Sequence, residues 1–207
     1  CYGHISYWTA YLKANHPVVF LAGLLSNEIN NTDKIAVFVA ECHRMKIEIL
    51  PPDTTRSQLR FCPENTQSGA SGVRYGLAAI KNCGEGAMAQ VIEEREKKGP
   101  FTSLEDFASR LDSKVINKRI LENLIKAGAL DWTGETRAGM YGRLEQVVAS
   151  ASSAQKDRAS GQVSLFDAMD MAPTAPVVKS RRAEGAVEEW PKDDRLAHEK
   201  ELLGFYV

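Results

Sequence analysis

Residues 77 to 92 carry the most informative pattern in the chain. They read Leu77-Ala78-Ala79-Ile80-Lys81-Asn82-Cys83-Gly84-Glu85-Gly86-Ala87-Met88-Ala89-Gln90-Val91-Ile92. Apolar residues on both sides of the Gly-x-Gly turn are spaced so that two short helices can pack against each other. The pattern therefore predicts a helix-hairpin-helix element, with its turn at residues 84–86.

The turn of this hairpin has the composition of an anion-binding site. Glycine allows positive φ and lets a phosphate approach the main chain, while the free N–H groups that open the second helix supply donors and a positive dipole end. Such a site contacts phosphate rather than base edges, so it would position DNA without specifying sequence. The residues expected to bind DNA here are Lys81, Gly84, Glu85, Gly86 and Ala87. The alternative is a tight turn between helices that holds no ligand.

A second, fainter helix-turn-helix follows over residues 120–132. It is built on the run Leu124-Ile125-Lys126-Ala127-Gly128-Ala129. Because paired hairpins suit the two strands of a duplex, we expect Lys126, Gly128 and Ala129 to contact DNA as well. Lys114, Lys118 and Arg119 add local positive charge, although a solvated helix face explains these side chains nearly as well.

The rest of the chain predicts a mainly α fold with a small β element. Apolar spacing and breaker residues predict helices at residues 2–15, 17–27, 77–82, 87–97, 103–110 and 117–126. Two further helices are expected, one that begins with Thr32 as its N-cap and one that begins near residue 133. Short strands are expected at residues 47–50, 59–61 and 73–75. Residues 151–187 are rich in Ala, Ser and Pro, which is typical of a flexible segment. A helix at 193–203 and the start of a strand at Gly204 are expected to follow.

Composition limits the classes of protein and site. The chain has 207 residues, 43% of them hydrophobic, which is enough to bury a core, and a formal net charge of -1, so any DNA contact must be local. Its four cysteines form no CxxC pair, so reduced thiols are expected rather than a zinc site or disulfides. No apolar run reaches the roughly 20 residues of a membrane span, which predicts a cytoplasmic protein without a membrane partner. The first residue is not Met, so we expect a piece of a longer polypeptide.

An enzymatic interpretation centres on Asp106. Glycosylases that carry this kind of hairpin place a catalytic aspartate about 20 residues after it. However, Ser103 precedes Asp106 with the spacing of a helix cap, and acidic residues in a first helical turn ordinarily complement the helix dipole. The sequence favours the cap, and a complete DNA-repair enzyme and a purely structural adaptor remain as alternatives.

Several separate motifs together resemble one family. They are Tyr2-Gly3-His4-Ile5-Ser6-Tyr7-Trp8-Thr9-Ala10-Tyr11-Leu12-Lys13-Ala14-Asn15-His16-Pro17, Ile49-Leu50-Pro51-Pro52-Asp53, Tyr75-Gly76-Leu77-Ala78-Ala79-Ile80-Lys81 with Gly84-Glu85-Gly86, Trp190-Pro191, and Glu199-Lys200-Glu201-Leu202-Leu203-Gly204-Phe205-Tyr206. In this order they resemble the alpha subunits of bacterial replicative DNA polymerase III. The resemblance covers nearly the whole chain except the segment of flexible composition.

The resemblance implies a domain organisation. By it, residues 1–70 are the C-terminal part of a fingers domain, 71–150 form a tandem helix-hairpin-helix DNA-binding domain, 151–187 are a flexible segment, and 188–207 lead toward an OB-fold that the chain does not contain. It also implies that three palm-domain aspartates and two metal ions, expected to be Mg²⁺, perform polymerisation in the parent protein. Those aspartates are missing here, so we expect no catalytic residue, metal site or cofactor in this fragment.

The resemblance further implies a sliding-clamp motif at residues 162–166, which read Gln162-Val163-Ser164-Leu165-Phe166. In this family a Gln-x-x-Leu-Phe peptide binds the clamp (the beta subunit), and Leu165 and Phe166 would be its apolar anchors. The alternative is that these two side chains dock on the chain's own hairpin domain. The expected partners are thus double-stranded DNA, the clamp and, through missing regions, other replicase holoenzyme subunits. The motif favours the main replicative enzyme over its error-prone relative.

Overall fold

The computed structural model describes residues 2–66, 69, 71–112, 115–159 and 187–206. These residues form nine α-helices, two 3-10 turns and a three-stranded sheet, which confirms the mainly α fold with a small β element. The buried hydrophobic residues, from Leu21 in the second helix to Phe205 near the C-terminus, form one connected cluster. The second and third helices, the hairpin region and the C-terminal helix therefore share one core.

Three helices open the chain: α1 (Tyr2–Asn15), α2 (Pro17–Asn27) and α3 (Thr32–Arg44). All three confirm the sequence prediction, including Pro17 at the start of α2. The predicted cap of α3 is wrong by one residue, because the side chain of Asn31, not Thr32, accepts from the backbone N–H of Lys34 at 3.2 Å. Asparagine is among the strongest N-caps, and Thr32 is the first residue of the helix.

The sheet has the strand order β1 (Ile49–Leu50), β3 (Ser71–Arg74), β2 (Cys62–Asn65). β1 runs parallel to β3, and β2 runs antiparallel to it. The predicted strand at residues 59–61 is wrong, since the second strand begins only at Cys62. The carbonyls of Gln58 and Leu59 accept instead from the N–H groups of Leu77 and Ala78, at 3.0 Å each, so that segment packs beside the hairpin and not within the sheet.

The second half is built from α4 (Glu85–Lys98), α5 (Leu104–Arg110), α6 (Lys118–Lys126), α7 (Arg137–Gly142) and α8 (Leu144–Ala159). Ser103 caps α5 and Asn117 caps α6, as side chains that accept from the backbone N–H three residues later. The helix predicted from about 133 is divided into a 3-10 turn at Asp131–Thr133 and the helices α7 and α8. α8 extends to Ala159, into the segment predicted to be flexible; residues 160–186 lie outside the described residues.

The helix predicted at residues 77–82 is wrong. Only a 3-10 turn forms at Leu77–Ala79, and Ile80 leaves it in an extended conformation (ψ 123°). Asn82 then adopts a positive φ of 61°, which a continuing α-helix does not allow. The apolar residues that suggested a helix are buried all the same, since Leu77 and Ile80 are at most 2% exposed.

The C-terminal helix α9 (Lys192–Leu203) confirms the prediction for residues 193–203 and packs back onto the hairpin region. Leu202 and Leu203 are buried, and the hydroxyl of Tyr75 donates to the carbonyl of Leu203 at 3.1 Å. The strand expected from Gly204 does not form, because Gly204 has a φ of 89° and ends the helix with a left-handed turn. Among the described helices, none has the length and apolarity needed to cross a membrane.

Candidate nucleic-acid interface

The first hairpin presents an open helix N-terminus. Gly84 is the N-cap of α4, and no side chain of the described residues caps this end. The first N–H groups of a helix have no partner within it, so those of Glu85, Gly86 and Ala87 remain available as donors. A Cβ added at Gly84 or Gly86 would meet no atom of the described residues within 4 Å. The chain therefore leaves room for another molecule to approach these amides closely.

The conformational part of the glycine prediction is wrong. Gly84 has a φ of -57°, Gly86 lies inside α4, and the positive φ of the turn falls on Asn82. Neither glycine is required by the backbone conformation or by contacts with the residues that the structure describes. What the two glycines provide is an unobstructed surface over the amides.

Buried contacts fix this end of α4 to the rest of the fold. Met88 and Val91 are fully buried on its inner face. Arg95 is buried too, and its guanidinium donates to the carbonyls of Thr54 and Ser57 at 3.0 and 2.9 Å. Burial lowers the pKa of Arg95, because water no longer solvates its charge fully. The open amides are thus held on a rigid helix and not on a loose loop.

Two charged residues flank Gly84 in the sequence, Lys81 three positions before it and Glu85 directly after it. Lys81 is exposed, its backbone N–H donates to the carbonyl of Leu202 at 3.1 Å, and its ammonium group has no acidic partner within the described part of the chain. Glu85 is exposed and lies 3.7 Å from the guanidinium of Arg60. Its carboxylate complements the helix dipole but would repel a phosphate, and Arg60 offsets part of that repulsion.

The second hairpin has a different geometry. The backbone N–H groups of Gly128 and Ala129 already donate within the turn, to the carbonyls of Ile125 (3.0 Å) and Leu124 (2.9 Å). Ala129 is fully buried, and its carbonyl accepts from the N–H of Thr54 at 2.9 Å. The expectation that Gly128 and Ala129 bind phosphate therefore conflicts with the geometry, since their donors are engaged inside the fold.

Arg137 closes this second turn. Its guanidinium donates to Asp131 at 2.7 to 3.2 Å, to Glu199 at 2.8 Å and to the carbonyl of Lys126 at 3.4 Å. It also occupies the space beside Gly128, where φ is 77° and an added Cβ would collide with it. Burial alone would lower the pKa of Arg137, but the two carboxylates outweigh burial and raise it. Arg137 stays charged and joins α7 to α9.

Two of the positive residues expected around the second hairpin have partners within the described part of the chain. Lys118 pairs with Glu145 at 2.5 Å. The ammonium of Lys126 lies over the ring of Tyr141, 5.2 Å from its centroid. Arg119 is exposed, whereas Lys114 lies outside the described residues.

The carboxylate of Asp106 forms hydrogen bonds with residues in and just before α5. It accepts from the backbone N–H and the hydroxyl of Thr102, at 3.0 and 3.3 Å, and from Arg110 at 3.4 Å. The backbone N–H of Asp106 donates to the Ser103 hydroxyl at 3.1 Å, which confirms the cap. These contacts account for Asp106 without catalysis.

The cysteines of the described part of the chain are not paired in disulfides. Cys42, Cys62 and Cys83 are free thiols, and burial raises the pKa of Cys42 to about 11 and that of Cys83 to about 12. No group of three or more His, Cys, Asp or Glu residues within the described ranges could hold a metal ion. The predicted clamp motif at residues 162–166 lies outside these ranges.

Sequence reasoning missed the residues that bring the two ends of this region together. Arg137 pairs with Glu199 across 62 positions, and Glu189 caps the first turn of α7, accepting from the N–H groups of Arg137 and Ala138 at 2.8 and 3.1 Å. A local pattern does not reveal such contacts. The sequence did contain one indication of this turn. Residue 128 is a glycine, which allows the left-handed backbone conformation that the chain adopts beside Arg137.

Comparison with known proteins identifies the motif and a set of similar proteins. A family model described as "Helix-hairpin-helix motif" matches residues 46–140. The DNA polymerase III subunit alpha of Mycobacterium tuberculosis strain H37Rv is 39% identical over 207 residues, that of Borreliella burgdorferi is 40% identical over 206, and that of Thermus aquaticus is 41% identical over 208. Each alignment covers 100% of this chain and 16 or 17% of the relative. Over its whole length the chain is therefore similar to a segment of bacterial DNA polymerase III alpha subunits, and it spans 17% of the length of the first relatives.

Proposed function

We propose that this chain is part of the polymerising subunit of a bacterial replicative DNA polymerase, where it binds the backbone of duplex DNA without reading sequence and tethers the enzyme to the sliding clamp. The observation that carries the DNA-binding half is the open N-terminus of α4 at Gly84, beside Lys81 and within the matched helix-hairpin-helix region. The similarity to DNA polymerase III alpha subunits supports the replicative setting.

The proposed contact is electrostatic. The N–H groups of residues 85–87 would donate to phosphate oxygens, the positive end of the α4 dipole would attract the charge, and Lys81 would add a full positive charge. None of these groups distinguishes one base pair from another, so binding would be independent of sequence. The duplex would be held at the first hairpin, and the second hairpin would brace α9 through Arg137.

The chemistry of polymerisation would lie elsewhere in the full-length protein. We propose that the parent protein is a DNA-directed DNA polymerase, a cytoplasmic enzyme whose Mg²⁺ ions are held by aspartates outside this chain. This chain would bind and position, and would not polymerise DNA alone. Its other holoenzyme partners would contact the full-length protein outside these residues.

Replacing Lys81 by alanine is expected to weaken binding to duplexes of any sequence to a similar degree. Loss of one phosphate contact lowers the salt dependence of binding, so the slope of log K against log salt should fall in magnitude by about 0.9. Fluorescence anisotropy at several salt concentrations measures this slope. Lys97→Ala is the matched control, because Lys97 lies near the other end of α4 and pairs with Glu93 at 2.6 Å. Equal slopes for Lys81→Ala and the wild type would remove Lys81 from the interface.

Replacing Leu165 and Phe166 together by alanine is expected to abolish capture of the chain by an immobilised sliding clamp, since the two apolar anchors would be lost. The neighbouring substitution Ser164→Ala should leave capture nearly unchanged. If the pair docks on the chain's own core instead, the double variant would lose thermal stability while clamp capture remains at the wild-type level, and the tethering proposal would be wrong.

A further inference from the structure

The C-terminal end of α9 lies directly against the first hairpin. The backbone N–H of Lys81 donates to the carbonyl of Leu202, and the hydroxyl of Tyr75 donates to that of Leu203, at 3.1 Å in each case. Phe205 is buried, with its ring centroid 5.8 Å from that of Tyr75. This end of α9 is therefore held in place next to Lys81.

Two exposed side chains, Lys200 and Tyr206, lie at this end of α9. Lys200 is exposed, and its ammonium lies 5.3 Å from the ring centroid of Tyr206, which is 53% exposed. No acidic side chain pairs with Lys200 in the described part of the chain. Other lysines there do pair with carboxylates, at 2.5 to 2.8 Å: Lys13, Lys34, Lys97, Lys98 and Lys118.

The charges of α9 are mixed at both ends. The first turn carries Lys192 and Arg195 as well as Asp193 and Asp194, and the last turn carries Lys200. Glu201 is exposed next to Lys200, so Lys200 does not make this end strongly basic on its own.

We propose that the C-terminal end of α9 forms part of the duplex-binding surface, with Lys200 contacting a phosphate next to the one held by Lys81 and the open amides of α4. Tyr206 would support the ammonium with its ring and offer its hydroxyl to the sugar-phosphate backbone. This inference rests on the proposed function of the first hairpin and extends that surface to residues beyond the matched region, which ends at 140.

A structural role for Lys200 would give a different result. A cation in the last turn of a helix interacts favourably with the negative end of the helix dipole, so Lys200 could stabilise α9 without contacting DNA. In that case Lys200→Ala would lower thermal stability slightly and leave the salt dependence of DNA binding unchanged. A phosphate contact changes the salt dependence whether or not stability changes.

The test is the slope of log K against log salt for the complete chain with duplexes of arbitrary sequence. Lys200→Ala should lower the slope by about 0.9, Lys81→Ala with Lys200→Ala by roughly 1.8, and Lys200→Arg should restore it. Lys98→Ala is the control, in the last turn of α4 and paired with Glu94 at 2.6 Å. A wild-type slope for Lys200→Ala together with a reduced slope for Lys81→Ala would overturn this inference and leave the proposed function standing. An absence of salt-dependent binding by the wild type would overturn both.

Discussion

Replacing Arg137 by alanine is expected to lower the free energy of unfolding by about 3 to 5 kcal/mol, because it leaves Glu199 buried without its partner. The side chains of Arg137 and Glu199 are 7% and 6% exposed, and their ion pair measures 2.8 Å. One carboxylate oxygen of Glu199 already lacks a hydrogen bond within the described structure. Removing the guanidinium would therefore separate α9 from α7 and open the second turn.

Arg143→Ala is the matched control for that prediction. Arg143 also makes two ion pairs, to Glu105 and Glu135, but its side chain is 35% exposed, so the change should be below about 1 kcal/mol. Urea unfolding followed by circular dichroism compares the two. Replacing both buried partners, as in Arg137→Met with Glu199→Leu, should recover much of the loss. Equal stability of Arg137→Ala and Arg143→Ala would show that the buried pair does not hold this region together.

Replacing Gly84 by serine and Gly86 by alanine is expected to weaken duplex binding at least tenfold while the fold becomes more stable. Serine at the N-cap would accept from an amide that we assign to phosphate, and the methyl group of alanine would fill the open surface above α4. A hydrogen bond to a charged group contributes about 1.5 to 3 kcal/mol, which corresponds to tenfold or more in affinity. Alanine also favours the helix over glycine by about 0.5 to 1 kcal/mol at position 86.

This double substitution is informative because it is expected to lower DNA affinity while raising stability. Gly128→Ala is a useful comparison, because it is expected to lower stability. Gly128 has a φ of 77° and Arg137 beside it, so alanine there should destabilise the fold strongly. Thermal unfolding and fluorescence anisotropy on the same samples separate the two effects. Undiminished affinity in the Gly84 and Gly86 double variant would mean that no phosphate occupies the end of α4.

The sequence predicted the local parts of this fold well. The predicted cap Ser103 acts on a backbone N–H three residues away, so its role depends on a few consecutive positions. The helix predicted at residues 77–82 failed because apolar spacing alone does not reveal the positive φ of Asn82. In α1 the helical pattern was correct, yet Tyr7 and Trp8 are 65% and 60% exposed, since spacing does not say which residues will find a partner.

The sequence indicated where the candidate interface lies, but not how its glycines contribute to it. The Gly-x-Gly turn correctly located the open end of α4, although the glycines leave space there and do not supply an unusual backbone conformation. The closure of the second hairpin was not predictable, because it depends on Arg137 and Glu199, 62 positions apart. The contact of Tyr75 with Leu203 spans 128 positions, and only the folded chain reveals it.

The most direct test of the central claim is to follow the backbone amides of the ¹⁵N-labelled chain by NMR during titration with two duplexes of unrelated sequence. The largest shifts are expected at residues 84–87, with the same pattern for both duplexes, and the amides of Gly128 and Ala129 should move little because they are already bonded inside the turn. Shifts concentrated at Gly128 and Ala129, or a pattern that depends on the sequence of the duplex, would contradict a sequence-independent contact at the first hairpin.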